Sequence, residues 1–247
     1  MARVVLTQPL PRVESLARAL VERGHEVLCL SFTRVLAREV DGLEDRLART
    51  DWVVAVSPAA LERLAALLGN RWPTGPGLAL IGPGSLRALE QSGMAIPPDR
   101  LALPSRPPFD ASALLRAGPL TQPAGKRVLV VRGDGGRDDW IDQLREAGAA
   151  VETLALYDRE PIQPDPAALL RLRDWLVEPA KVFCVLTQTG TAARLTQAAG
   201  EQSIRPPFGS VVALAIHSRI AEAAAAVGFT RVRLIDPGED ALIAAIE

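Results

Sequence analysis

The chain has 247 residues, a formal net charge of −1, 48 % apolar residues and only 4 % aromatics. That length can bury a sizeable core as one large domain or two small ones, and the composition fits an α/β protein while excluding disorder, coiled coil and collagen. The balanced charge argues against a broad nucleic-acid footprint, and no apolar run nears the ~18 residues of a membrane span.

Apolar strands alternate with amphipathic helices, the pattern of an α/β architecture with parallel sheets. Val4-Val5-Leu6 is predicted as a strand. Val13, Leu16, Ala17, Leu20 and Val21 follow at the spacing of a helix packed on a sheet, Gly24 stops that helix, and His25 to Leu30 forms the next strand. Leu30 to Val40 breaks the rhythm. Trp52 to Val56 then leads into a helix opening at Ser57-Pro58, with Leu61, Leu64, Ala65 and Leu68 inward and Gly69 as its stop. Leu78 to Ile81 leads into a helix ending at Gly93. Ile96 to Gln122 is Pro-rich and reads as a loop-like insertion with a short helical piece at Ala111 to Ala117. Val128 to Val131 is a strand, Ile141, Leu144 and Ala147 mark a helix stopped by Gly148, and Val151 to Leu156 is a strand ending at Tyr157. Leu156 to Pro166 has the proline density of a stiff linker. Lys181 to Leu186 leads into Thr191 to Ala199, stopped by Gly200, and Ala213 to Ile216 into a helix ending at Gly228.

This order is a duplicated half. Gly24 and Val27 recur as Gly148 and Val151, 124 residues on, and Gly93 recurs as Gly228, 135 residues on. The two breaks at Leu30–Val40 and Leu156–Pro166 occupy equivalent places. If both are crossovers, residues 1–33 and 162–247 form a discontinuous first domain and 37–158 the second. Residues 34–36 and 159–161 are then the linker strands. The expected fold is two similar open parallel-sheet α/β domains. A strand reached by Val4 leaves no leader peptide, and Cys29 and Cys184 lie far apart within apolar runs, so a cytoplasmic protein without disulfides is expected.

Chemical motifs are scarce. Arg132-Gly133-Asp134-Gly135-Gly136-Arg137 sits where a phosphate loop would, but Asp138 replaces the third glycine of the dinucleotide fingerprint. Two histidines, His25 and His217, cannot build a metal site, and His25 reads as structural. What recurs is a hydroxyl or glycine at strand ends: Thr7, Ser57, Ser85, Arg132-Gly133, Thr187 and Ser218. Each reads as a helix cap when taken alone. Together they read as a ligand rim, because open α/β sheets bind ligands outside their strand carboxyl ends and helix N-termini hold anions. Tyr157, the sole tyrosine, reads either as a packing residue or as a proton donor at the hinge of an interdomain cleft.

The stretches Val128-Leu-Val-Val-Arg-Gly-Asp-Gly-Gly-Arg137, Leu144-Arg-Glu-Ala-Gly148 and Val151 to Tyr157 resemble the signature of the uroporphyrinogen-III synthase family. Thr7-Gln8-Pro9 resembles its opening Thr-Arg-Pro, with Gln8 in place of Arg. Ser57-Pro58-Ala59-Ala60 is similar to its Thr-Ser-x-x-Ala turn, with Val56 where Thr is common. Ile81-Gly82-Pro83-Gly84-Ser85 resembles its Val-Gly-x-x-Thr helix opening. His217-Ser218-Arg219-Ile220-Ala221 resembles a His-Pro-Arg-Ile-Ala form, with Ser218 for Pro. The resemblance implies two flavodoxin-like domains joined by a two-stranded linker. It further implies cyclisation of hydroxymethylbilane to uroporphyrinogen III, with loss of water and inversion of the last ring through a spiro intermediate. No cofactor or metal is implied, and the chain would be a monomer taking its bilane from hydroxymethylbilane synthase. It implies Tyr157 as the catalytic proton donor and Ser85 as a cleft hydroxyl. Substrate contacts are expected from Thr7, Ser57, Ser85, Arg132, Gly133, Thr187, Gln188, His217, Ser218 and Arg219. The competing reading is a non-catalytic two-domain ligand-binding or sensory protein with the same duplicated halves.

Overall fold

Parallel strands buried on both faces must be apolar throughout, and the computed structural model, which describes residues 1–104, 109, 111–116, 118–136, 138–177, 181–203 and 209–247, follows that rule. The first half runs β1 (Arg3–Leu6), α1 (Val13–Glu22), β2 (Glu26–Cys29), β3 (Thr33–Ala37), α2 (Leu43–Ala48), β4 (Trp52–Ala55) and α3 (Pro58–Leu67). It continues through β5 (Gly77–Leu80), α4 (Pro83–Ser92), β6 (Leu101–Ala102) and α5 (Ala111–Arg116). The second half runs β7 (Arg127–Gly133), α6 (Asp139–Glu146), β8 (Ala150–Pro161), α7 (Pro166–Val177) and β9 (Val182–Leu186). It ends with α8 (Thr191–Glu201), β10 (Val211–Ala215), α9 (Ser218–Ala226), β11 (Arg231–Leu234) and α10 (Glu239–Ile246). Arg137, and Ala117 at the end of the expected helical piece, lie outside the described residues.

The chain divides into two compact units, Met1–Val35 with Glu160–Glu247, and Leu36–Arg159. The first holds a five-stranded sheet in the order β2-β1-β9-β10-β11, parallel throughout. The second sheet has six strands, β3-β8-β7-β4-β5-β6, parallel from β8 to β6. The Arg38 N–H donates to the Leu156 carbonyl and the Ile162 N–H to the Phe32 carbonyl. The numbering thus runs in opposite senses, and β3 lies antiparallel beside β8.

The two sheets rank equivalent strands alike. β2-β1-β9-β10-β11 corresponds to β8-β7-β4-β5-β6, so each unit takes two strands from one sequence half and three from the other. In both, the chain leaves adjacent central strands in opposite directions: between β1 and β9 in one unit, and between β7 and β4 in the other. Such a switch point opens a crevice at the strand carboxyl ends.

Alternation along each strand sorts the first unit's core into two layers. Val5, Val182, Cys184, Leu186, Val211 and Ala213 face α7, α8 and α9, where Leu169, Leu172, Trp175, Leu195 and Ile220 are buried. Val4, Leu6, Phe183, Val185, Val212 and Leu214 face Val13, Leu16 and Leu20 of α1 and Leu242, Ile243 and Ile246 of α10. In the second unit, Val54, Ala79, Val128 and Val130 pack with Leu114, Trp140, Ile141 and Leu144.

Several expectations need correction. Val21 is 58 % exposed, so the α1 stripe is narrower than its spacing suggests. Ala147 is exposed and Ala149 buried in its place, because α6 ends at Glu146. α8 runs through Gly200 to Glu201; glycine permits a stop without forcing one. The Ile96–Gln122 stretch is more than a loop, since Leu101–Ala102 adds an edge strand paired to β5. Tyr157 does not end its strand: β8 continues to Pro161.

Candidate active site

Strand order alone sets up the second unit's rim. At the carboxyl ends of β5, β4 and β7 stand Gly82, Ser57 and Gly133, and Tyr157 follows in that lateral order on β8, within the longer strand. β7 carries an irregularity between Arg132 and Gly133 that brings Gly133 opposite Tyr157, and the Asp134 N–H donates to the Tyr157 carbonyl at 2.8 Å. The Tyr157 ring packs directly against Gly133. A Cβ there would fall 2.4 Å from Cε2 and 2.6 Å from Cζ, so Gly133 serves close packing and its backbone φ makes no special demand.

Tyr157 is 1 % exposed, and its hydroxyl is held from two sides. Ser57 Oγ lies 3.1 Å from Tyr157 Oη, and Arg159 Nη2 donates to the same oxygen at 3.1 Å. The Arg159 guanidinium also stacks 5.6 Å from the ring centroid, a cation–π arrangement. Ser57 is the N-cap of α3, accepting the Ala60 N–H at 3.1 Å, with Pro58 preset for the first turn. One half-buried hydroxyl thus joins a helix N-terminus to the tyrosine.

The neighbouring cations are already spoken for. Arg132 folds into its own loop, donating from Nε to the Gly135 carbonyl at 3.1 Å and pairing with Asp138. Gly136 has φ +125°, and a Cβ there would strike Arg132 Nη2, so this glycine gives the arginine its space. Arg38 pairs with Asp158 at 3.2 Å and reaches Asp134 at 3.9 Å. Formal positive charge at this rim is therefore largely balanced.

Ser85 is 3 % exposed and sits inside α4, whose N-cap is Gly82, so it is not a cap. Phe109 lies over Gly82. In the first unit, Thr7 is 2 % exposed and donates to the Val185 carbonyl at 2.6 Å, tying the end of β1 to β9 at the switch point. Thr187 and Gln188 are half-buried at the end of β9, and His217, Ser218 and Arg219 are exposed at the start of α9. The cap of α9 is His217, whose Nδ1 accepts the Arg219 N–H at 3.2 Å. Ser218 is the first helical residue, so a hydroxyl cap there is corrected to an imidazole. Of the strand-end hydroxyls, Ser57 alone has a described side-chain capping bond.

The sequence reading missed Arg159 as a partner of the tyrosine, although Tyr157 and Arg159, two apart on a strand, fall on one face. His25 is structural: its Nδ1 accepts the Ala2 N–H at 3.2 Å. Among the described residues no group of three or more His, Cys, Asp or Glu could hold a metal ion, and no helix is long and apolar enough to cross a membrane. A surface depression of about 330 Å³ lies beside α2, lined by Glu44 and Asp45 with Val40, Leu43 and Leu67. Its two carboxylates make it unsuited to an anionic ligand.

The family model described as uroporphyrinogen-III synthase HemD matches residues 14–244. A uroporphyrinogen-III synthase of Salmonella typhimurium is 34 % identical over an alignment of 167 residues that covers 63 % of this chain. That match spans 64 % of the relative's length. The fold is similar to that of a mutant uroporphyrinogen III synthase from Thermus thermophilus, with TM-score 0.56 and 20 % identity over 99 % of this chain and 97 % of that one. It is also similar to the Helicobacter pylori uroporphyrinogen-III synthetase, with TM-score 0.57 and 11 % identity over 99 % and 98 % of the two chains. At those identities the structural likeness concerns the fold, whereas the family match covers nearly the whole sequence: the chain belongs to the uroporphyrinogen-III synthase family.

Proposed function

We propose that this protein converts hydroxymethylbilane to uroporphyrinogen III, with loss of water and inversion of the last pyrrole ring. The family match over residues 14–244 carries this reading, and the packing of Tyr157 against Gly133 supports it. The chemistry needs little from the protein. Loss of the hydroxyl from one terminal ring leaves an azafulvene cation there. Attack on it by the substituted carbon of the last ring, at the other end of the chain, gives a spiro intermediate that fragments and recloses with that last ring inverted. Electron-rich pyrroles drive these steps, so the protein's work is to orient the chain against non-inverting closure and to protonate the departing hydroxyl.

In this reading Tyr157 supplies that proton. The eight carboxylates of the substrate are taken up by amides, hydroxyls and a few cations on the rims of both units, from Thr7, Ser57, Ser85, Arg132, Gly133, Thr187, Gln188, His217, Ser218 and Arg219. The exposed His217, Ser218 and Arg219 and the half-buried Ser57, Thr187 and Gln188 are the more accessible of these. Residues 1–33 and 162–247 act as one domain and 37–158 as the other, linked through 34–36 and 159–161. The protein works as a cytoplasmic monomer and receives its unstable bilane directly from hydroxymethylbilane synthase.

A coupled assay from porphobilinogen and the preceding deaminase, with type I and type III porphyrins separated after oxidation, tests this. Type III product supports the synthase. Type I alone, with bilane bound, indicates a binding protein; type I with no binding indicates a chain that has lost both functions.

A further inference from the structure

Hydrogen counting at Tyr157 leads one step further, and it rests on the function just proposed. An arginine only donates, so Arg159 fills an acceptor site of Tyr157 Oη. The Ala60 N–H fills one on Ser57 Oγ. Two hydroxyl protons remain, and the 3.1 Å contact between the oxygens uses one of them. The other has no described acceptor. Tyr157 is 1 % exposed, whereas Ser57 is half-buried at the rim, so the free O–H belongs on Ser57 and the phenol donates inward to it.

We infer that Ser57 is the group that hands the proton to the departing hydroxyl, with Tyr157 as its source and Arg159 as a positioning residue. Ser57 Oγ–H protonates the leaving oxygen, the C–O bond breaks, and water and the azafulvene cation form. Tyr157 refills Ser57, leaving a phenolate beside the Arg159 guanidinium. When ring closure later releases a proton from the reacting pyrrole carbon, that proton returns through Ser57 to the phenolate, so the cycle balances.

The test uses the full chain. Ser57→Asn keeps an N-capping side chain but has no hydroxyl, whereas Ser57→Thr keeps both. Turnover of Ser57→Asn should fall ~10²–10⁴-fold, as for loss of a general acid, and match Tyr157→Phe. The double variant should be no slower than either single, because one relay is broken once, and Ser57→Thr should recover to within a few-fold of wild type. Arg159→Gln should slow turnover, with Arg159→Lys intermediate. Tyr157 is the only tyrosine, so ¹³Cζ-tyrosine labelling gives one resonance, which should move in both Ser57→Asn and Arg159→Gln. Type III formation at the wild-type rate by Ser57→Asn, multiplicative losses in the double variant, or a resonance unmoved in both variants overturns the relay while leaving the synthase reading intact. A wild-type chain that forms no type III product overturns both.

Discussion

Replacing Gly133 with alanine perturbs the site by one methyl group. The added Cβ would lie 2.4 Å from Tyr157 Cε2, 2.6 Å from Cζ and 3.0 Å from Oη. Gly133 has no left-handed φ to lose, so alanine suits its backbone and the whole penalty comes from the ring. That ring cannot swing to solvent cheaply, being 1 % exposed and held by Ser57 and Arg159. Overpacking of this kind costs ~1–3 kcal/mol, and displacing the hydroxyl forfeits about 0.5–1.5 kcal/mol for each hydrogen bond lost. With both hydrogen bonds lost, a total of about 2–6 kcal/mol should lower Tm by roughly 4–24 °C for a chain of this size. Thermal unfolding followed by circular dichroism measures it. In a Tyr157→Leu background the clash is gone, and the same glycine substitution should cost under about 1 kcal/mol. An unchanged Tm for Gly133→Ala, or an equal loss in the Tyr157→Leu background, would refute the packing argument.

Tyr157→Phe should lower turnover ~10²–10⁴-fold while the product stays type III, because inversion depends on how the last ring is held; isomer analysis on the folded variant checks this, and full activity would remove the residue from catalysis. Thr7→Val keeps the shape but removes the bond to the Val185 carbonyl, so urea unfolding should show a loss of about 1 kcal/mol. At the amino-terminal ends of the central strands β4 and β7, hydrogen bonds from Arg127 hold the Asp51 carboxyl below its ordinary range. A depressed folded-state value means the stabilisation is present above the unfolded carboxylate value and is lost as pH falls through the lower folded one. Asp51→Asn should therefore flatten the acid limb of a stability–pH curve, and an unaltered limb would contradict the pairing.

Much of the fold was legible because its signals are local. The stops at Gly24, Gly69, Gly93, Gly148 and Gly228 all have positive φ, and the repeat of strand, stripe and glycine reveals the duplication. α7 was hidden because Pro166, which opens the helix, reads as linker when it follows Pro161 and Pro164. β11 was hidden because Arg231-Val-Arg-Leu234 is a largely exposed edge strand without an apolar run. The site was less legible for a different reason. Ser57 and Tyr157 are 100 residues apart, and their meeting depends on β4, β7 and β8 being neighbours in one register. No local pattern encodes that pairing. The same holds for Gly133, whose need for a bare Cα comes from a ring on the adjacent strand. The cap of α9 falls on His217 and not on Ser218, a shift the sequence hides because a histidine is an uncommon cap and the adjacent serine is the expected one.

The most direct measurement is the isomer composition formed from hydroxymethylbilane as the folded chain is titrated against spontaneous cyclisation. Type III should rise with protein until it displaces type I, and heat-unfolded chain should have no effect. Type I product at every protein concentration would contradict the synthase reading.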